Sequence, residues 1–251
     1  AYLTENTQLY NHEIIIIAKE KYGVEFTVPG MHKWLHRHGF SYKKYKGVPH
    51  KTDLQLQKEF TEKYEQLKAE SKGKEPILFI DSVHPSQATK LSYGWIRRGQ
   101  NKAVGTTASR TRLNIVGALP VGDIANTITK QYERVNGETI VDFLGVLRER
   151  FCDGKRIHLI LDRAGYHLSK IVSETADKLN IKLHFLPPYS PNLNPIERLW
   201  KVMNKYARNN RFFKTASEFR ESIRYFFEST LPSIGHTLSS WINDNFQLSL
   251  A

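Results

Sequence analysis

Cysteine is almost missing from this sequence: Cys152 is the only one. An intramolecular disulfide is excluded, and a cysteine-based zinc site lacks its ligands. Long apolar runs are missing too. The longest, Ile14–Ala18, falls far short of the ~20 residues that cross a bilayer as a helix, so no membrane partner is expected. No basic–apolar–small leader opens the chain, which reads as a cytoplasmic protein. Its first residue is Ala1 rather than Met, as in a processed chain or a fragment. Internal repeats and low-complexity tracts are also missing.

Acids are the scarcer charge. The 251 residues carry 37 Lys+Arg against 25 Asp+Glu, a net charge of +12. That excess points to a polyanionic partner, nucleic acid or an anionic surface. Three stretches contain no acid at all: Val28–Thr52, Ser82–Gly122 and Arg198–Ala216, each with six Lys/Arg. They read either as three solvated faces or as a distributed binding track. At 40% hydrophobic and 25% charged, the chain is ordinary for a globular protein of one large domain, or one medium and one small.

The first fifty residues read as short helices. His12–Lys21 is helical, and Tyr22-Gly23-Val24 turns the chain. Thr27 is placed to cap a second helix, with Pro29 in its first turn and Gly39 as its stop. Met31, Trp34, Leu35 and His38 share one face; His32, Lys33, His36 and Arg37 share another. A helix, a short turn and a helix with an apolar back and a basic front fit a helix-turn-helix, or an ordinary amphipathic hairpin. Phe40–Lys46 alternates aromatic and basic residues, as a DNA-contacting wing would, placing Lys43, Lys44 and Lys46 with Lys33 and Arg37 as candidate DNA contacts. We therefore expect a helix-turn-helix domain over 1–50, a connecting helix over 51–73 and a second domain over 74–251.

The second domain alternates strands and helices. Strands are expected at Ile77–Ile80, Tyr93–Ile96, Arg112–Leu119, Ala125–Gln131, Ile157–Leu161 and Ile181–Leu186. Helices are expected at Glu138–Phe151, from Ser169 to Leu179, and from Asn194 to about Arg208. Four prolines between Pro187 and Pro195 make a stiff loop. Antiparallel strands followed by α-β-α-β-α imply an α/β fold with a mixed sheet and helices on both faces.

Asp81 and Asp162 each follow an apolar strand. In open α/β sheets, sites gather at the carboxyl ends of strands. Two carboxylates brought together there repel unless a cation relieves them, and a hard divalent ion such as Mg²⁺ prefers oxygen ligands. Taken singly, each aspartate reads first as a turn-former capping a strand. With Asn194 as N-cap, Glu197 falls at N3, an acidic capping position, so it reads as a cap or a metal ligand. Lys201, Lys205 and Arg208 follow at near-helical spacing, a basic stripe suited to a phosphate backbone. Arg97 and Arg98 are further candidate DNA contacts. His167 is either a DNA contact or a capping residue, and His84 is a weaker phosphate candidate. Trp95, Trp200 and Trp241 read as core.

The run Leu186-Pro187-Pro188-Tyr189-Ser190-Pro191-Asn192-Leu193-Asn194-Pro195-Ile196-Glu197-Arg198-Leu199-Trp200 resembles the signature around the third acid of DDE transposases. The resemblance is closest to the bacterial insertion-sequence branch of the mariner superfamily. Leu161-Asp162-Arg163-Ala164-Gly165-Tyr166-His167 resembles the second-acid motif, Phe79-Ile80-Asp81 the first, and Gly94-Trp95-Ile96-Arg97-Arg98-Gly99 an element usual after it. The 34 residues between Asp162 and Glu197 match the spacing of that branch. Two positions depart from the pattern. Arg163 stands where Asn is common, and Ser82 where an acid is common.

The resemblance implies an RNase H-like catalytic domain whose Asp81, Asp162 and Glu197 hold two Mg²⁺ ions, with Mn²⁺ able to substitute. It implies cutting of phosphodiesters at transposon ends and joining of the freed 3′-hydroxyls to target DNA. The implied partners are double-stranded DNA and a second copy of the chain, in a nucleoid-associated bacterial setting. Members usually carry a further N-terminal DNA-binding module, so this chain is expected to start inside or just before the second one. Two other readings stay open: a transposase-derived DNA-binding protein without catalysis, and an RNase H-like nuclease.

Overall fold

The computed structural model describes residues 2–6, 10–43, 53–71 and 74–248. The chain divides into two compact units, 1–47 and 48–251. Among the described residues, no helix is long and apolar enough to cross a membrane.

Among its described residues, the first unit holds three helices: α1 (Tyr2–Glu5), α2 (Asn11–Tyr22) and α3 (Val28–Arg37). Gly23 ends α2 at φ 65°, a left-handed conformation that glycine adopts without steric cost. Thr27 opens α3, its hydroxyl accepting from Gly30 N–H at 3.2 Å. Met31 is buried, with Trp34 and Leu35 half-buried beside it. Lys33 and Arg37 lie exposed with His32 and His36, as the expected basic front requires. Residues 40–43 are irregular and Lys43 is exposed. Lys44 and Lys46, the rest of the expected wing, lie outside the described residues.

The second unit begins with α4 (Leu54–Ser71), capped by the Asp53 carboxylate, which accepts from Gln55 and Leu56 N–H. The sheet has five strands: β1 (Ile77–Val83), β2 (Asn114–Pro120), β3 (Ile128–Tyr132), β4 (Ile157–Leu161) and β5 (Ile181–Phe185). Their order is β3-β2-β1-β4-β5. The β1–β2 and β2–β3 pairs are antiparallel; β1–β4 and β4–β5 are parallel. The parallel crossovers use α5 (Gly137–Arg150) and α6 (Lys170–Lys178), while α7 (Ile196–Met203), α8 (Ala216–Tyr225) and α9 (Leu231–Ile234) complete the chain.

Strand alternation sorts the side chains onto two faces. Leu78, Ile80, Val116, Ala118, Leu159 and Leu161 join Phe143, Leu144 and Leu147 of α5 in one core. Ile115 and Leu119 face the other way, onto Ile196, Leu199 and Met203 of α7. Ile77, Phe79 and Ile160 pack on that side with Tyr64, Leu186 and Leu193.

The helix expected as a connector packs with the second unit: Tyr64 of α4 is 2% exposed and lies against Phe79. Three expectations need correcting. Tyr93–Ile96 is not a strand: among the described residues it pairs with no other strand, and Tyr93 and Trp95 are fully exposed. The expected strand Ala125–Gln131 is split into a 3₁₀ turn, Ile124–Asn126, and β3. The helix after the proline-rich loop starts at Ile196, not Pro195, and becomes a π-helical turn over Asn204–Arg208.

Candidate active site

Alternation decides where the acids go. Asp81 follows Ile77 and Phe79 on the α7 side of β1, and Asp162 follows Ile160 on the same side of β4. The parallel register pairs Phe79 with Ile160; Asp81 lies two residues beyond that pair within β1, and Asp162 two residues beyond it, just past the end of β4. Glu197 sits in the first turn of α7, which packs across β1 and β2. Its negative charge near the helix N-terminus is favourable there.

The loop before Glu197 is fastened from three directions. Asn194, 4% exposed, donates from Nδ2 to the Ile80 carbonyl at 3.2 Å, and its Oδ1 accepts from Ile196 N–H. Its amide thus staples the loop to β1 rather than capping N3. Gln57 of α4 donates to Ser190 Oγ at 2.9 Å and accepts from Asn192 Nδ2 at 3.1 Å. Arg198 Nη1 donates to the Trp241 and Asn243 carbonyls. This serves the stiffness read from the prolines: the loop that leads into Glu197 is tied to both α4 and β1.

Each acid has its own environment. Burial, then the charge of Glu197 and more weakly that of Asp162, pushes the Asp81 carboxyl up to about 7, against hydrogen bonds from Trp200 and the Ser82 N–H. Trp200 Nε1 donates to Asp81 Oδ2 at 2.8 Å. Burial also raises Glu197, opposed by Lys201 and reinforced by Asp162. Asp162 is held below the usual range, first by the hydrogen bond from His167, whose Nδ1 lies 2.7 Å from Oδ1. Ala164 N–H adds a second bond at 3.0 Å. Tyr166 stands close by, its hydroxyl 2.9 Å from Ser82 Oγ.

Three carboxylates in one another's field form an oxygen-only donor set short of positive charge, which suits a hard divalent cation. Among the described residues, no three acids or histidines are already gathered as a ligand cluster. Trp200 and His167 each hold one carboxylate oxygen, of Asp81 and of Asp162.

A family model described as DDE superfamily endonuclease matches residues 76–220, more than half of the chain. The chain belongs to that family. The DDE match runs from the start of β1 into α8 and includes all three acids. A second model, winged helix-turn helix, matches residues 11–64. Among curated relatives, an insertion element IS630 uncharacterized 39 kDa protein from Shigella sonnei is 26% identical over 172 residues, 66% of this chain and 48% of that protein. The uncharacterized protein y4pE/y4sA of Sinorhizobium fredii (strain NBRC 101917 / NGR234) is 40% identical over 77 residues, 31% of this chain and 55% of that protein. The chain thus spans about half the length of the curated relatives it matches. In fold, it resembles the Mos1 transposase paired-end complex with left transposon end, at TM-score 0.65 and 17% identity over 98% of this chain and 78% of that one. The Mos1 mariner paired-end complex with Mn gives 0.65 at 18% identity, with the same shares of each chain.

The remaining candidates of this DDE chain sort by exposure. Arg97, Arg98, Lys201 and Lys205 are exposed. Arg208 leaves the expected basic stripe: it is 8% exposed and donates to Asn204 Oδ1 and the Ser86 carbonyl. His167 is 1% exposed and bonded to Asp162, so it acts on the acid rather than offering a free surface to DNA. His84 bonds Asn114 Oδ1 at 2.8 Å. Trp200 is core as expected; Trp95 is fully exposed and Trp241 is 48% exposed, so those two are not. Sequence reading missed the Trp200–Asp81 bond, the Tyr166–Ser82 pair and the Asn194 staple. The detectable signal was Gly117, a glycine inside an otherwise apolar strand.

Proposed function

We propose that the chain is a DNA transposase, and that Asp81, Asp162 and Glu197 are its catalytic acids. The observation that supports this most is that all three fall on the α7 side of the sheet within the DDE match, with Asp81 pushed up to about 7 by burial and by the charges of the other two. The Mos1 structures were solved as paired-end complexes with Mn and with Mg, which favours divalent metal here. The three acids would hold Mg²⁺, with Mn²⁺ as a substitute. When bound, such ions supply Lewis-acid stabilisation of a phosphoryl centre and a more acidic water or 3′-hydroxyl.

The chain's own residues do the rest. Asp162 stays ionised because His167 and Ala164 N–H bond it. Glu197 opens a helix whose preceding loop is fastened to α4 and β1. Arg97, Arg98, Lys201 and Lys205 would bind the phosphate backbone beside the acids, and Lys33, Arg37, Lys43, Lys44 and Lys46 would bind DNA from the N-terminal domain. Cutting at transposon ends and joining of 3′-hydroxyls to target DNA follow from this reading. So does a homodimer on DNA, since two ends must meet. We also propose a DNA-binding domain over 1–50 and a catalytic domain over 74–251, with the helix between them, α4, packed on the catalytic side.

Asp81→Asn, Asp162→Asn and Glu197→Gln should each abolish metal-dependent cleavage of cognate DNA, with melting cooperativity and gel-shift affinity retained. Cleavage surviving all three changes would refute the assignment. Binding without any strand breakage by the wild type would favour a DNA-binding protein, and preference for RNA–DNA hybrids an RNase H-like nuclease.

A further inference from the structure

Gly117 is the register partner of Asp81 on β2, and it faces α7. A Cβ added there would lie 2.5 Å from Trp200 Cη2, 3.2 Å from Cζ2 and 3.4 Å from Ile196 Cδ1. The first distance is far inside van der Waals contact. The indole therefore lies directly on the Gly117 backbone. It is 4% exposed, and its Nε1 reaches Asp81 Oδ2 at 2.8 Å. Glycine within a strand is unfavourable by roughly 0.5–1 kcal/mol relative to alanine, so its presence here calls for a compensating close approach.

We propose that Trp200 is a positioning residue for Asp81, and that Gly117 is the gap that lets it reach. The bond holds Oδ2, so Oδ1 is the Asp81 oxygen that the indole leaves for a cation. The donor is neutral, so it orients the carboxylate without competing for the site as a cation would. Trp200 lies three residues after Glu197, and such pairs share a helix face. One short helix, anchored by buried Ile196, Leu199, Val202 and Met203, therefore carries one acid and orients another. The proposal rests on the reading of Asp81, Asp162 and Glu197 as metal-binding.

The test is Mn²⁺ binding, read from the electron paramagnetic resonance signal of the free ion, beside single-turnover cleavage. Trp200→Phe keeps a ring but loses the N–H. Gly117→Ala displaces the ring. Partners that orient metal ligands typically matter 10–100-fold. Each variant should therefore weaken Mn²⁺ binding about 10-fold or more, with cooperative melting and DNA affinity retained. The two changes should not add: a phenyl ring lacks the atoms that meet the new Cβ, so Gly117→Ala should cost little further in the Trp200→Phe background.

Wild-type binding that is lost in Asp162→Asn establishes the metal site itself. With that in hand, unchanged Mn²⁺ affinity in folded Trp200→Phe or in Gly117→Ala would overturn the positioning role alone. If Trp200→Phe does not fold, Gly117→Ala decides. A wild type that binds no Mn²⁺ would overturn the metal reading and this proposal with it.

Discussion

Removing the charge of Asp81 should make the metal-free protein more stable. Its carboxyl stands at about 7 rather than the ordinary 3.8 because it is buried and faces Glu197 and Asp162. The folded state therefore holds a proton that the unfolded state releases between those values. The stability this gives is complete below 3.8 and is lost as pH rises through about 7. The full gap corresponds to ~4 kcal/mol at pH 8. Asparagine keeps an oxygen for the Trp200 N–H but adds an amide N–H that needs a partner, so we expect a net gain of roughly 1–3 kcal/mol. For a chain of this size that is a rise in Tm of about 2–10 °C. The assay is thermal melting of wild type and Asp81→Asn in chelator, from pH 4 to 8. The difference should be near zero at pH 4 and reach its plateau above 7. Adding Mg²⁺ should raise the wild-type Tm and leave Asp81→Asn nearly unmoved. A variant that is less stable at pH 8, or a difference that does not change with pH, would refute the reasoning.

Asn194→Ala should cost ~1–3 kcal/mol in a denaturant melt, since it leaves the Ile80 carbonyl without the Asn194 amide. It should also slow cleavage more than it weakens DNA binding, because it loosens the loop that carries Glu197. His184 is pushed down to about 4 by burial, then by His158 and Lys182. Its neutral form is favoured in the fold, so its contribution to stability is present above 6.5 and lost as pH falls toward 4, by roughly 1–2 kcal/mol after solvent screening. His184→Gln should flatten that part of the pH–stability curve. Arg97→Ala with Arg98→Ala should reduce the slope of log affinity against log salt by ~1–2 and weaken binding across DNA sequences. An unchanged slope would remove both from the interface.

Most of the fold could be read from periodicity. The runs at Ile77 and Ile157 are largely apolar because both faces of those strands are covered, and that pattern survives without knowledge of tertiary contacts. Tyr93–Ile96 misled because its aromatic and β-branched residues look like a strand, yet pairing depends on a neighbour that local composition does not specify. Arg208 misled in a similar way: its spacing fitted an α-helical stripe, but the helix turns π after Met203 and carries the guanidinium inward to the Ser86 carbonyl. Asp162 was legible as a strand end, whereas the strand expected to end at Ile80 runs on to Val83 and holds Asp81 within it. Their shared face depends on β1 lying beside β4, which is a fact of topology. His167 was noticed for its place five residues after Asp162, but only the folded loop shows that it bonds the acid. Trp200 was legible as a buried residue and not as a donor to Asp81, because that bond spans 119 residues.

The most direct test of the central claim uses DNA. Labelled fragments of each flank of the chain's own gene would be incubated with protein and Mg²⁺ or Mn²⁺, beside an Asp162→Asn control. The account predicts metal-dependent cuts at matching inverted sequences in both flanks, absent in the control. Cuts that persist in Asp162→Asn or in chelator, or DNA bound by the wild type and never cut, would contradict it.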